Sequence, residues 1–73
     1  MDRYVAELIV LIARLDQEAA GLRRQLERRT EQAVAKPTGR RVGRVSRLRR
    51  DLADSIRAIR FNERQLRRLQ AMG

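Results

Sequence analysis

Apolar positions recur along this chain in alternating steps of three and four residues, in two separate stretches. The first runs Val5, Leu8, Ile12, Leu15, Ala19, Leu22, Leu26, Arg29 and Ala33, with only Arg29 departing from apolar character. The second runs Val45, Leu48, Leu52, Ser55, Ile59, Asn62, Leu66 and Leu69. A repeat averaging about 3.5 residues is the stripe of a coiled-coil seam. The pattern predicts an all-α fold: two long antiparallel helices, about 2–35 and 42–71, in a coiled-coil hairpin forming one domain over residues 1–73.

The expected turn lies at about residues 36–41. Lys36 precedes Pro37 and is pushed out of helical geometry by the proline ring. Thr38 or Ser46 can cap the second helix, and Gly39 can adopt the positive φ that tight connections often need. A loop this short makes neighbouring helices run antiparallel.

The two stripes fit one another. With a turn centred near residue 39, facing residues have numbers summing to 77 or 78. Leu8 then meets Leu69, Ile12 meets Leu66, Ala19 meets Ile59, Leu26 meets Leu52, and Ala33 meets Val45. Small residues oppose large ones at several layers, which helps them interdigitate. Asn62 and Ser55 also fall on the seam. A buried seam Asn can pin register or oligomer state, whereas one near the bundle edge stays wet. Arg29, close to the turn, can lay its stem over apolar surface while its head reaches water.

Apolar residues remain outside the seam. Tyr4, Ile9, Val10 and Leu11 make the start of the first helix apolar almost all round, and Ile56, Phe61 and Met72 add to the second. A helix with that profile is usually covered on several sides. These seven residues are the candidate interface for a homo-oligomer or a larger protein assembly, in a bundle of four or more helices. The alternative is an isolated hairpin with an exposed apolar end. Phe61 sits among Arg57, Arg60 and Arg64, and is either a partner contact or a lone surface hydrophobic.

Length and composition reinforce this picture. A chain of 73 residues, with no Cys and no His, buries only about 60% of its unfolded surface and has neither disulfides nor the usual zinc ligands to help it. Only Tyr4 and Phe61 are aromatic, too few for a β-sandwich core, whereas Leu, Ala, Arg, Glu and Gln favour helix. The apolar run Tyr4–Leu15 contains Glu7 and Arg14 and is too short to span a bilayer. It also lacks the basic leader and cleavage site of a signal peptide. The expected location is cytoplasmic or particle-associated, without secretion. Membrane-surface binding is disfavoured because the Arg-rich region lies at the opposite end from this run.

Charge changes the picture most. The net charge of +9 is spread as −2 over residues 1–20, +2 over 21–31, +7 over 32–50 and +2 over 51–73. The third segment holds Lys36, Arg40, Arg41, Arg44, Arg47, Arg49 and Arg50 and no acid. Seventeen of the eighteen basic residues are Arg, a bias that a GC-rich genome also produces, so position is more informative than residue type. These seven residues are the candidate nucleic-acid contacts. Phosphate neutralisation by such groups releases counterions and is steeply salt-dependent. Arg40, Arg44 and Arg47 would share a face if the second helix began early, while Arg50, Arg57 and Arg64 form another row. The plain alternative is a solvated turn that keeps the protein soluble.

Nothing in the sequence suggests catalysis, a metal, a cofactor or a small-molecule substrate. The acids have Arg neighbours within four positions and read as helix-surface charges. Lys36-Pro37-Thr38-Gly39 is not a phosphate-binding P-loop. No helix-turn-helix, zinc finger or aromatic stacking platform is present, so backbone-dominated binding to DNA or RNA is expected. The segment Arg49-Arg50-Asp51-Leu52-Ala53, following a basic turn and a long first helix, resembles the second helix of a family of small basic helical hairpins of the large ribosomal subunit. That resemblance implies a helical hairpin contacting ribosomal RNA. The longer unbroken first helix and its apolar start depart from that family's pattern.

The expectation is therefore a non-enzymatic basic hairpin that oligomerises or docks through its apolar end and binds nucleic acid non-specifically through its turn. Its role would be architectural or accessory. The alternative is a protein-assembly component, such as a small subunit of a phage particle or other large complex, whose Arg residues meet acidic protein.

Overall fold

A computed structural model describes residues 2–72. Two helices account for nearly all of them: α1, Arg3–Ala35, and α2, Gly39–Met72. They pack along each other into a rod of 54 × 14 × 13 Å. A 33-residue helix is about 50 Å long, so a rod of that length requires the arms to lie side by side and antiparallel. The fold is an all-α helical hairpin.

Burial follows the predicted stripes. The core consists of Leu8, Ala19, Val45 and Ile59, all seam positions. Ala19 and Ile59, expected to face each other, are both buried, and Ala19 is 1% exposed. The other seam residues are half-buried, except Arg29, which is exposed. Partial burial is what a two-helix rod permits, because each helix covers only one side of the other.

Local chemistry sets the ends of each helix. Asp2 caps α1, its Oδ1 accepting from the Tyr4 N–H at 3.1 Å and its carbonyl accepting from the Ala6 N–H at 3.1 Å. At the far end Lys36 leaves the helix, with φ −147° and ψ 86°, and its N–H donates to the Gln32 carbonyl at 3.0 Å. A following proline disfavours helical geometry at this position, and Lys36 lies outside it.

The turn departs from expectation in two ways. It spans only residues 36–38, so α2 starts at Gly39 and not near residue 42. The cause is Thr38, not Ser46. Its Oγ1 accepts from the Arg41 N–H at 3.2 Å, and its carbonyl accepts from the Val42 N–H at 3.0 Å. Gly39 also does not use left-handed backbone: no residue described has positive φ. The reversal at residues 36–38 is made without positive φ.

Asn62 is half-buried and satisfied within its own helix, donating from Nδ2 to the Ala58 carbonyl at 2.8 Å. A polar seam position is therefore accommodated without a hydrogen bond to the opposite helix. Ile56, placed off the seam by its spacing, is half-buried and not among the exposed hydrophobics.

Gly43 lies inside α2 without positive φ, and a Cβ built on it meets nothing within 4 Å. Gly43→Ala should raise stability by about 0.5–1 kcal/mol by removing unfolded-state freedom. Gly39→Ala, with equally open surroundings, should not destabilise. Chemical denaturation followed by circular dichroism checks both. A clear loss of stability in Gly39→Ala would contradict the turn geometry.

Candidate nucleic-acid interface

The three-residue turn places the last turns of α1 beside the first turns of α2. Between them lies an open cleft of about 350 Å³ lined by Arg29, Gln32, Thr38, Arg40, Arg41 and Arg44. Four of these six are arginines and none is acidic. The ion pairs among the described residues, Arg3–Glu7, Arg57–Asp54 and Arg67–Glu63, all lie outside segment 32–50. The positive charge at the turn is thus not neutralised by an acid within ion-pair distance.

The arginines of the cleft differ in what they do. Arg41 is half-buried and spans the turn: one guanidinium nitrogen donates to the carbonyls of Gln32 and Lys36, each at 3.2 Å. Those carbonyls belong to the carboxyl-terminal end of α1, where the helix dipole favours a cation. Arg41 therefore fastens the start of α2 to the end of α1. Arg29 donates from a guanidinium nitrogen to Gln32 Oε1 at 3.2 Å, a bond within α1. Arg40 and Arg44 are exposed and make no side-chain hydrogen bond or ion pair among the described residues.

The first turn of α2 contains no acidic residue. Arg40 instead sits at a helix N-terminus, where the dipole disfavours a cation by about 0.3–1 kcal/mol. Arg41 escapes that penalty by reaching back to α1. The cleft thus joins a helix N-terminus that has a Thr38 cap but no acidic side chain to two guanidinium groups with free donors, an arrangement complementary to an anionic oxygen cluster such as a phosphate.

Of the seven expected contact residues, the cleft gathers Arg40, Arg41 and Arg44. Lys36, Arg47, Arg49 and Arg50 are exposed but lie outside it. Because α2 begins at Gly39, Arg40, Arg44 and Arg47 do fall along one helix face, while Arg49 and Arg50 are turned away from that face by the 100° step of the helix. The charge therefore wraps the pole and does not form one flat stripe.

Arg29, Gln32 and Thr38 were not among the expected contacts. Arg29, expected to lay its stem over apolar surface with its head in water, is exposed and lines the cleft. The signal was available in the register: the pairing that sets Arg29 opposite Leu48 also sets it near Arg44. Val34 and Val42, 77% and 52% exposed, also flank the turn and add apolar surface to the basic pole.

At the opposite pole Tyr4, Ile9, Val10, Leu11, Phe61 and Met72 are exposed. Among the described residues no group of three or more His, Cys, Asp or Glu side chains could hold a metal ion. No helix among the described residues is long and apolar enough to cross a membrane. No protein-family model matches this chain, and neither a curated protein nor a solved structure matches it. The ribosomal resemblance of Arg49–Ala53 is thus joined by no wider similarity.

Removing Arg41 should loosen the turn itself. Arg41→Ala and Thr38→Ala should each cost about 1 kcal/mol of stability, through loss of the bond across the turn and of the helix cap. Arg40→Ala should leave stability unchanged or slightly improved. Thermal denaturation of the three variants under one buffer condition tests this ordering.

Proposed function

We propose that this protein is a non-enzymatic nucleic-acid-binding hairpin with an architectural or accessory role. Its basic turn grips phosphate groups, and its apolar pole associates with protein. The observation that carries the proposal is the cleft of Arg29, Arg40, Arg41 and Arg44, with no acid lining it or ion-paired within it. A turn needing only solubility has no cause to converge several guanidinium groups on one space. Arg41 acts mainly as a fastener of the fold. Arg29, Arg40 and Arg44 have donors left to offer a ligand, and Lys36, Arg47, Arg49 and Arg50 extend the positive surface to neighbouring phosphates.

Binding of this kind is insensitive to base sequence, because it reads phosphate and not base edges. It falls steeply with salt as counterions are released. The chain has only one Phe and one Tyr and no Trp, so stacking on bases contributes little beside charge.

A second reading keeps the same pole but gives it an acidic protein surface within a particle or other large complex. The exposed valines beside the turn, Val34 and Val42, favour that reading, since apolar side chains contribute little to phosphate recognition.

Titration of the protein with a duplex DNA and a duplex RNA of unrelated sequences, across a series of salt concentrations, decides between the two. The proposal expects similar affinities for different sequences, with log K falling linearly against log salt. Arg29→Ser, Arg40→Ser and Arg44→Ser should each flatten that slope by about one unit while the fold is retained. Absence of salt-sensitive binding in the parent protein would overturn the nucleic-acid reading.

A further inference from the structure

We infer that the hairpin pairs with a second copy of itself, antiparallel, through the back of α1 near its amino-terminal end. This partner for the apolar pole deepens the function proposed above and rests on it only for the nucleic-acid consequence.

The face concerned lies opposite the seam. Val10 is 57% exposed and stands between two shallow clefts. One, of about 400 Å³, is lined by Arg3, Ala6, Glu7, Val10, Leu11 and Arg14. The other, of about 320 Å³, is lined by Ile9, Val10, Ala13, Arg14 and Gln17. A ridge at Val10 with a hollow on each side is the relief that a facing helix fills, side chain into hole.

The row Ala6, Val10, Ala13, Gln17 advances by four, three and four residues, a second seam at the spacing of the first. Laid antiparallel on its own copy about a two-fold axis between residues 11 and 12, Val10 faces Ala13 of the other copy, and Ala6 faces Gln17. Each large side chain then meets a small one, and all the layers occur twice, as a two-fold contact requires.

Charge favours the same register. Glu7 and Arg14 lie on one flank of the row, seven residues apart. In the antiparallel pairing the same flanks of the two helices adjoin, so Glu7 of each copy meets Arg14 of the other. Arg14 has no ion-pair partner among the described residues. Glu7 is held only by Arg3 at 3.3 Å, a pair whose side chains are 93% and 64% exposed. Such a pair is weak and readily exchanged. A parallel pairing would set Glu7 against the opposite flank and leave Arg14 unmatched.

The arrangement has a functional consequence. Each basic turn begins about 25 residues beyond the two-fold axis, so the two turns of a dimer point away from each other, roughly 70 Å apart at 1.5 Å per residue. Such a dimer holds two nucleic-acid segments at once, whereas a monomer holds one.

Sedimentation equilibrium without nucleic acid provides the test. The parent protein should show a concentration-dependent monomer–dimer equilibrium. Glu7→Arg and Arg14→Glu should each weaken it at least tenfold, since each change breaks two pairs and sets like charges together. The double variant carrying both changes should recover it. Fluorescent labels on Lys36→Cys should report a separation near 70 Å in the dimer. A protein that stays monomeric at several hundred micromolar overturns the inference, as does a short label distance or failure of the double variant to recover. Circular dichroism confirms that each variant keeps its helices. A protein that dimerises as described but leaves DNA and RNA unbound preserves the pairing and overturns only the function proposed for the turn. Capture of a second, labelled duplex by a surface-bound one should then follow dimerisation across these variants.

Discussion

Packing along one narrow seam determines where every other feature of this molecule lies. Neither helix can hide its apolar stripe alone, and among the described residues only Leu8, Ala19, Val45 and Ile59 become buried when the two combine. The stabilisation is therefore spread over a row of half-buried contacts as long as the rod. Length substitutes for depth, because each added layer contributes a modest area of apolar surface removed from water. The three-residue turn makes the seam register hard to shift. Sliding one stripe by a heptad would demand several more residues between Ala35 and Gly39 than the chain provides there. A short link and a long seam thus enforce the same alignment, and the two poles are held about 50 Å apart as a result.

The basic pole is a cost that the seam has to carry. Cationic side chains crowd the turn, and two of them, Arg40 and Arg41, occupy the first turn of a helix whose dipole disfavours them. Exposure and salt reduce the mutual repulsion without removing it. Arg41 turns part of this cost into a constraint by bonding the last carbonyls of α1. Arg40 and Arg44 make no such bond among the described residues. An anion placed between Arg29, Arg40 and Arg44 would relieve repulsion as well as form new bonds, so binding and stability of the turn should reinforce each other.

Most of the fold was legible in the spacing of apolar residues, because a two-helix rod has only one way to cover two stripes. Every seam position apart from Arg29 is at least half-buried. The site was less legible. Pro37 showed that the chain breaks, but the length of the turn depended on which hydroxyl captured a backbone N–H. Thr38 did so, and the second helix started three residues early. Gly39 suggested left-handed backbone that the turn does not use. Arg29 looked like a seam substitution, since its membership of the cleft comes from the opposite helix and not from its own neighbours. Counting charge along the chain located the pole. Only the folded register could separate Arg41, which fastens the turn, from Arg40 and Arg44, which are free to reach outward.

Under the function proposed for the turn, a rod would keep the two poles from disturbing each other. A ligand as highly charged as nucleic acid perturbs whatever lies within a Debye length, about 8 Å at physiological salt. A self-association surface with its own charges, such as Glu7 and Arg14, would be disturbed if it lay beside the bound phosphates. At the far end of the hairpin it lies several screening lengths away. In the proposed dimer, assembly and anion binding would be separable, yet they would combine when it engaged two segments, because the second contact would be made at a high effective concentration. The seam that gives the rod its length would then let modest individual contacts at its ends act together.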